Sequence, residues 1–189
     1  MAPEILTREW LHEGYLRVVR LTVRMPDGSR LDREVEEHGA AVGVLAYDPE
    51  RRTGLLVRVM RFGPLQQGAE PWILEVCAGM VDPGETSDQA ARREAMEEIG
   101  LRVRELEHVV DSWSSPGMST ERVALFLAPY TEADRDAAGG GIDDERSTLQ
   151  PVELPLSDLW QQVVERGPSD LKTFALLHAL RRRRPELFS

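Results

Sequence analysis

Residues 79–101 read GMVDPGETSDQAARREAMEEIGL. Within them, REAMEEIG (93–100) places three carboxylates, Glu94, Glu97 and Glu98, in five positions. The stretch TSDQAARREAMEEI (86–99) reads as a helix. Thr86 or Ser87 can cap its start, Gly100 can end it, and Ala91, Ala95 and Ile99 recur every fourth residue as a core-facing stripe. Helical positions three and four apart share a face, so the acids crowd one another. Taken alone, such a run is ordinarily a solvated acidic face. Crowded carboxylates also raise each other's pKa, a conflict that a divalent cation resolves. Mg²⁺ takes hard oxygen ligands, bridges readily to phosphate and would invert the charge offered to an anionic substrate.

The spacing decides between the two readings. Gly79 is followed after five residues by Glu85, and after seven more by Arg93-Glu94-Ala95-Met96-Glu97-Glu98-Ile99-Gly100-Leu101. This resembles the Nudix box, G-x5-E-x7-R-E-U-x-E-E-x-G-U, where U is a bulky apolar residue; here the first U is the small Ala95. All seven fixed positions match, a coincidence of about 10⁻⁷ per window at this chain's own Gly, Arg and Glu frequencies and rarer still at ordinary composition. Gly79 would let the backbone approach closely, and Gly84 in DPGE suits a tight turn. Arg93 is expected to be structural, orienting a carboxylate such as Glu85.

Outward from the box, YLRVVRLTVRM (15–25) partly alternates as a half-buried strand, PDGS (26–29) signals a turn, and LDREVEE follows as a second strand. AAVGVLAY (40–47) and GLLVRVMRF (54–62) read as buried neighbouring strands, and PWILEV (71–76) as a short one. Past the helix, ELEHVVDSW and RVALFLAPY read as strands and AAGGGIDDERS (137–147) as an acidic, Gly-rich loop; LSDLWQQVVERG and SDLKTFALLHALRRRR read as closing helices. A boundary near residue 40 separates a small N-terminal hairpin lobe, 1–40, from a mixed α/β body, 41–189.

The chain has 189 residues and a net charge of −10, a poor default for nucleic acid or anionic membrane. No apolar run approaches the roughly 20 residues that span a bilayer, and MAPEILTREW lacks the layout of a secretory signal. Cys77 is the single cysteine, so no internal disulfide forms. A reducing cytoplasm is expected, with Cys77 a small buried side chain. The RRRR run (181–184) reads as a favourable helix C-terminus.

Beyond the box the chain resembles the ADP-ribose pyrophosphatase and nucleoside-diphosphate-sugar hydrolase branch of the Nudix hydrolases. The stretches that carry this are GYLRVVRLTVRMPDG, MRFGP with EPWILEVCAGMVDPGE, SWSSPGMSTERVALFLA, and GIDDERS with VELPLSDLWQQVVERGPSDLKTFALLHAL. The resemblance implies an α/β/α sandwich with a small N-terminal antiparallel strand lobe. It implies Mg²⁺, with Mn²⁺ as a substitute, held by Glu94 and Glu98, with Glu97 an additional acid and the Ala78 carbonyl a backbone ligand. Arg61 and Glu121 match substrate-contacting residues. Glu145, with Asp144 next, matches the general base, although Arg146, Ser147 and Thr148 stand where the family loop often continues acidic. Homodimers are implied, with partner residues completing the site; Trp10 and Tyr15 are candidates, against a plainer role in packing. The expected reaction is cleavage of the diphosphate of ADP-ribose to AMP and ribose 5-phosphate, with GDP-mannose or another nucleotide sugar as the alternative. A non-catalytic nucleotide-sugar sensor ranks lower because the box is intact. An RNA pyrophosphohydrolase ranks lower because of the acidic balance.

Overall fold

The computed structural model describes residues 2–141, 148–167 and 169–189. The chain divides into two compact units, Met1–Ala40 with Asp111–Val123, and Ala41–Val110 with Ala124–Ser189. The first carries an antiparallel sheet of β1 (Glu4–Glu13), β2 (Arg17–Arg24) and β3 (Arg30–Glu36), paired in that order. The PDGS turn joins β2 to β3: Gly28 takes φ +86, and the Ser29 N–H donates to Asp27 Oδ1 at 2.9 Å. The three strands replace the expected hairpin. β1 was not legible because it is exposed almost throughout, and register shifts at Ile5/Thr7 and Trp10/His12 break its alternation. Within this unit the Arg17 guanidinium lies 4.4 Å from the centre of the Trp10 ring, and Tyr15 is fully exposed.

The second unit is built on a seven-stranded sheet. Its path is β10 (Leu149–Pro155), β5 (Thr53–Met60), β4 (Ala40–Asp48), β9 (Arg122–Pro129) and β8 (Glu107–Trp113); β6 (Trp72–Glu75) pairs with β5, and β7 (Cys77–Met80) with β4. β4 is buried from Ala41 to Asp48, which explains its unbroken apolar run: both faces are covered. Val42, Val44, Ala46, Leu55, Val57 and Val59 pack with Ala90, Ala91, Ala95 and Ile99 of helix α2 (Ser87–Ile99). Alternate positions turn the other way. A side chain at Gly54 would come within 2.6 Å of Leu159 in α3 (Leu156–Leu159), and the Val76 N–H donates to Thr173 Oγ1 in α4 (Leu171–Arg183) at 2.8 Å. Helices thus cover both sheet faces, the α/β/α arrangement expected of the second unit.

Two stretches depart from the sequence reading. The strand expected to run to Phe62 ends at Met60, and Phe62–Gln66 forms a short helix, α1 in chain order. β10 was missed because Pro151 and Pro155 interrupt it; on an edge strand, a residue without an N–H is tolerated. The expected helix from Leu156 continues past α3 as a π-helical turn, Trp160–Arg166. Cys77 is fully buried, and burial pushes its thiol pKa well up. Arg183 and Arg184 at the end of α4 pair with Glu107 at 2.7 and 2.9 Å. No helix among the described residues is long and apolar enough to cross a membrane.

A partly buried carboxylate ties β10 to its neighbours. Glu153 accepts from Thr53 Oγ1 at 2.6 Å and Tyr130 OH at 2.8 Å, and pairs with Arg51 at 2.7 Å and with Arg135. Burial alone would raise the Glu153 pKa, but these donors and cations hold it below its ordinary value. Tyr130, desolvated beside Glu153, is pushed up to about 12. Asp48 and Asp170 are likewise held low against burial, by Arg51 and Lys172 respectively. Folded values below the unfolded ones give stability that is complete above the unfolded pKa and is lost as pH falls through the folded values. The melting temperature is therefore expected to hold steady from neutrality to about pH 5 and to drop progressively below about pH 4.5. A thermal-denaturation series that stayed flat to pH 3 would contradict this assignment.

Candidate active site

Helix α2 owes its start to a capping box. Thr86 Oγ1 accepts from the Gln89 N–H at 3.3 Å, and Gln89 Oε1 accepts from the Thr86 N–H at 2.8 Å. Just before it, Gly84 takes φ +90 and the Glu85 N–H donates to the Asp82 carbonyl at 3.0 Å, so DPGE is a tight turn. Small alanines at 90, 91 and 95 let the helix lie close on the sheet. On the same buried face, between the alanines, Glu94 and Glu98 turn towards β7.

The contact with β7 is intimate. A Cβ on Gly79 would fall 2.0 Å from Glu94 Oε1, so the carboxylate occupies the space a side chain would fill. The neighbouring Ala78 N–H donates to Glu98 Oε2 at 2.9 Å. Ala78 and Gly79 therefore lay their backbone against two of the three acids read from the sequence.

Arg93 binds the rest together. Nε and Nη2 donate to the two oxygens of Glu85, each at 3.0 Å, and Nη2 also donates to the Met80 carbonyl at 2.8 Å. Nη1 donates to Glu94 Oε1 at 2.7 Å and to Glu97 Oε2 at 3.1 Å. The Glu85 contact is foremost in raising the Arg93 pKa, and Arg93 in turn lowers that of Glu85. One guanidinium thus faces four carboxylates, those of Glu85, Glu94 and Glu97 and, at 3.8 Å, that of Asp82, and Glu98 lies beside them against Ala78.

The C-terminal end of α2 is held by glycines. Gly100 takes φ +64 and its N–H donates to Met96 O at 3.1 Å, while Gly140 and Gly141 donate to the carbonyls of Glu98 and Glu97 at 2.8 and 3.0 Å. A Cβ at Gly100 would meet the Ala137 carbonyl at 2.0 Å, so glycine is required there twice over. The AAGGG stretch, read from sequence only as a loop, is thus a second cap for the helix that carries the acids. Asp144 and Glu145, which follow it, lie outside the described residues.

Arg61 is positioned by residues the sequence reading missed. Its Nε and Nη2 donate to Glu75 Oε1 and Oε2 at 2.7 and 2.9 Å, leaving Nη1 outside the pair. Glu75 is buried, and Lys172 Nζ reaches it at 3.3 Å while holding Asp170 at 2.7 Å. Asp170 also caps α4 through the Thr173 N–H at 2.9 Å. The Glu75 hydrogen bond, opposed by burial and reinforced by the charges of Glu75, Glu98 and Asp170, raises the Arg61 pKa, so Arg61 lies within the field of the acidic cluster. Glu121 belongs to the first unit, where its carboxylate lies 3.7 Å from His38 Nδ1. The only signal for Glu75 and Lys172 was a charge inside the apolar PWILEV and the chain's single lysine.

A NUDIX domain profile matches residues 37–174. The chain belongs to the Nudix family. A GDP-mannose pyrophosphatase from Cronobacter sakazakii is 35% identical over 185 residues, covering 95% of each chain. An ADP-ribose pyrophosphatase from Escherichia coli K12 is 34% identical over 174 residues, 88% of this chain and 81% of the relative. A solved ADP compounds hydrolase shares the fold at a TM-score of 0.78 and 21% identity, over 98% of this chain and 96% of that one. The protein is a Nudix hydrolase, and enzymes of this family generally use divalent metal cations.

The donor set of this Nudix box is chemically suited to such a cation: carboxylate oxygens with backbone close by, and no thiolate or imidazole among them. Among the described residues, no three acids, histidines or cysteines converge closely enough to hold one ion; Arg93 Nη1 stands between Glu94 and Glu97 instead. Gly79→Ala, which would drive the Glu94 carboxylate from its seat, is expected to weaken Mn²⁺ binding by about 10- to 100-fold. Mn²⁺ titration followed by electron paramagnetic resonance checks this. Gly100→Ala is expected to cost about 2 kcal/mol of stability through backbone strain and the clash with Ala137, read from chemical denaturation.

Proposed function

We propose that this Nudix hydrolase cleaves the diphosphate of ADP-ribose, with Mg²⁺ as its cation and Mn²⁺ as a substitute, giving AMP and ribose 5-phosphate. The observation that carries this reading is the apposition of Gly79 and Ala78 to Glu94 and Glu98 under the Arg93 clamp, in a chain similar throughout to enzymes named for such substrates. Glu94 and Glu98 are assigned as cation ligands, with Glu97 and the Ala78 carbonyl beside them. When bound, the cation supplies charge neutralisation on the phosphoryl oxygens and acidifies a coordinated water. Gly79, Glu85, Arg93 and Gly100 hold the box in shape. Arg61, clamped by Glu75, presents Nη1 to an anionic diphosphate, and Glu121 is assigned a substrate contact. Glu145 accepts the proton of the attacking water as a phosphorus–oxygen bond of the diphosphate breaks.

GDP-mannose is the second reading, and one observation favours it: the Cronobacter relative named for that substrate is covered almost end to end. A homodimer through the 1–40 lobe belongs to the same proposal, supported by the exposure of Tyr15 and of much of Trp10. The buried single Cys77 supports a cytoplasmic setting, and the charge of −10 supports a small-molecule substrate over nucleic acid or membrane.

ADP-ribose and GDP-mannose supplied together with Mg²⁺ should yield AMP faster than GMP, and a Glu98→Gln variant should yield neither. GMP in excess would move the substrate assignment to GDP-mannose; products undiminished in Glu98→Gln would remove the carboxylate cluster from the mechanism. Glu145→Gln is expected to lower turnover by about 10²-fold, and an unchanged rate would exclude it as the base.

A further inference from the structure

The sheet face opposite α2 holds a cavity of about 580 Å³ that the proposed reaction does not use. Its floor follows from strand register. Arg58 of β5 pairs with Gln150 of β10 on one side and Leu74 of β6 on the other, so the three side chains stand in a row on one face. Val57 and Val59, the residues flanking Arg58, point to the core beneath α2. Gln162 and Val163 of the π-helical turn, with Gly167 and Ser169 after it, complete the lining. The wide turn is closed by Ser169 Oγ, which donates to the Val163 carbonyl at 3.1 Å. A π-helical segment is rare and frequently marks a functional site.

The polar groups here are unlike those of the ion-pair networks elsewhere in the unit. The side chains of Arg58, Gln150 and Gln162 make no hydrogen bond or ion pair among the described residues. Arg58 is the one cation of the lining, Glu70 the one anion and Trp72 the one aromatic ring. Glu70 is set in place by accepting from the Trp72 N–H at 3.1 Å. A cavity of this size falls within the range of small-molecule sites, which combine apolar walls with a few placed polar groups.

We propose that this cavity binds a nucleoside monophosphate, at a site separate from the carboxylate cluster. Each part of that ligand class has a counterpart in the lining. The Arg58 guanidinium matches two oxygens of one phosphate, and the Trp72 indole offers a face to a planar base. Gln150 and Gln162 each carry donors and an acceptor for a base edge, and the Glu70 carboxylate accepts from ribose hydroxyls. A single cation balanced by a single acid suits one phosphate group rather than a diphosphate. The class coincides with one product of the proposed reaction, so the site would let product act on the enzyme away from the acids.

The test is equilibrium binding without turnover. The full-length protein and its Glu98→Gln variant are titrated with AMP and with GMP in EDTA by calorimetry, with tryptophan fluorescence alongside. Adenosine and inorganic phosphate are the half-ligand probes. Saturable binding of a nucleotide is expected in both proteins, with each half-ligand about tenfold weaker or more. Arg58→Gln should weaken the nucleotide by at least about tenfold. Gln162→Glu, which sets a carboxylate in the cavity, should do the same, and neither variant should change initial rates or the melting temperature. No saturation to about 10 mM, loss of binding in Glu98→Gln, or equal binding in Arg58→Gln would overturn the proposal. Because no cleavage is measured, failure here is distinct from failure of the ADP-ribose reading.

Discussion

The arrangement of the carboxylate cluster depends on one guanidinium. Arg93 takes both oxygens of Glu85, one each from Glu94 and Glu97, and the Met80 carbonyl. Those partners come from the turn before α2, from α2 itself and from β7. Without a cation at that position the acids would repel, and the helix could not bring them against the strand. Arginine fits where lysine would not, because its planar fork reaches several acceptors at fixed angles. The same contacts leave the cluster acidic, since four carboxylates surround a single positive charge, and this is the condition under which a divalent cation is attracted.

Rigidity around that hub comes from both ends of α2. A capping box fixes the first turn, and Gly100 with the N–H groups of Gly140 and Gly141 closes the last. The alanine face brings the helix close enough to the sheet for Glu94 to occupy the space above Gly79. A bulkier residue at 91 or 95 would lift the helix and separate the carboxylates from the strand. Packing and chemistry therefore share one constraint, the closeness of a helix to a strand.

A second chain of contacts runs from Arg61 through Glu75 and Lys172 to Asp170 and the start of α4. Burial would make the Glu75 charge costly alone, and Arg61 and Lys172 satisfy it. The result is an arginine whose direction is set by buried partners rather than by solvent. Helix α4, remote in sequence from Arg61, thereby helps to aim it.

The local features of α2 were legible in the amino-acid order. Thr86, the Ala91–Ala95–Ile99 stripe and Gly100 mark the helix by rules that act within a few residues, and the acid spacing puts its charges on one side. The long buried strands were legible because both faces of β4 are covered, leaving an apolar run. What depended on distant partners was not. β1 lost its alternation to bulges, and β10 was hidden by prolines that only an edge position permits. Glu75 and Lys172 looked like isolated charges until the fold placed them 3.3 Å apart across 97 residues of chain. Gly140 and Gly141 read only as part of an acidic, Gly-rich loop until the fold brought their N–H groups to the carbonyls of Glu98 and Glu97. Helix signals are local hydrogen-bond and packing preferences and can be read in order along the chain. Ion pairs, edge positions and long-range caps exist only once the tertiary structure has brought their partners together.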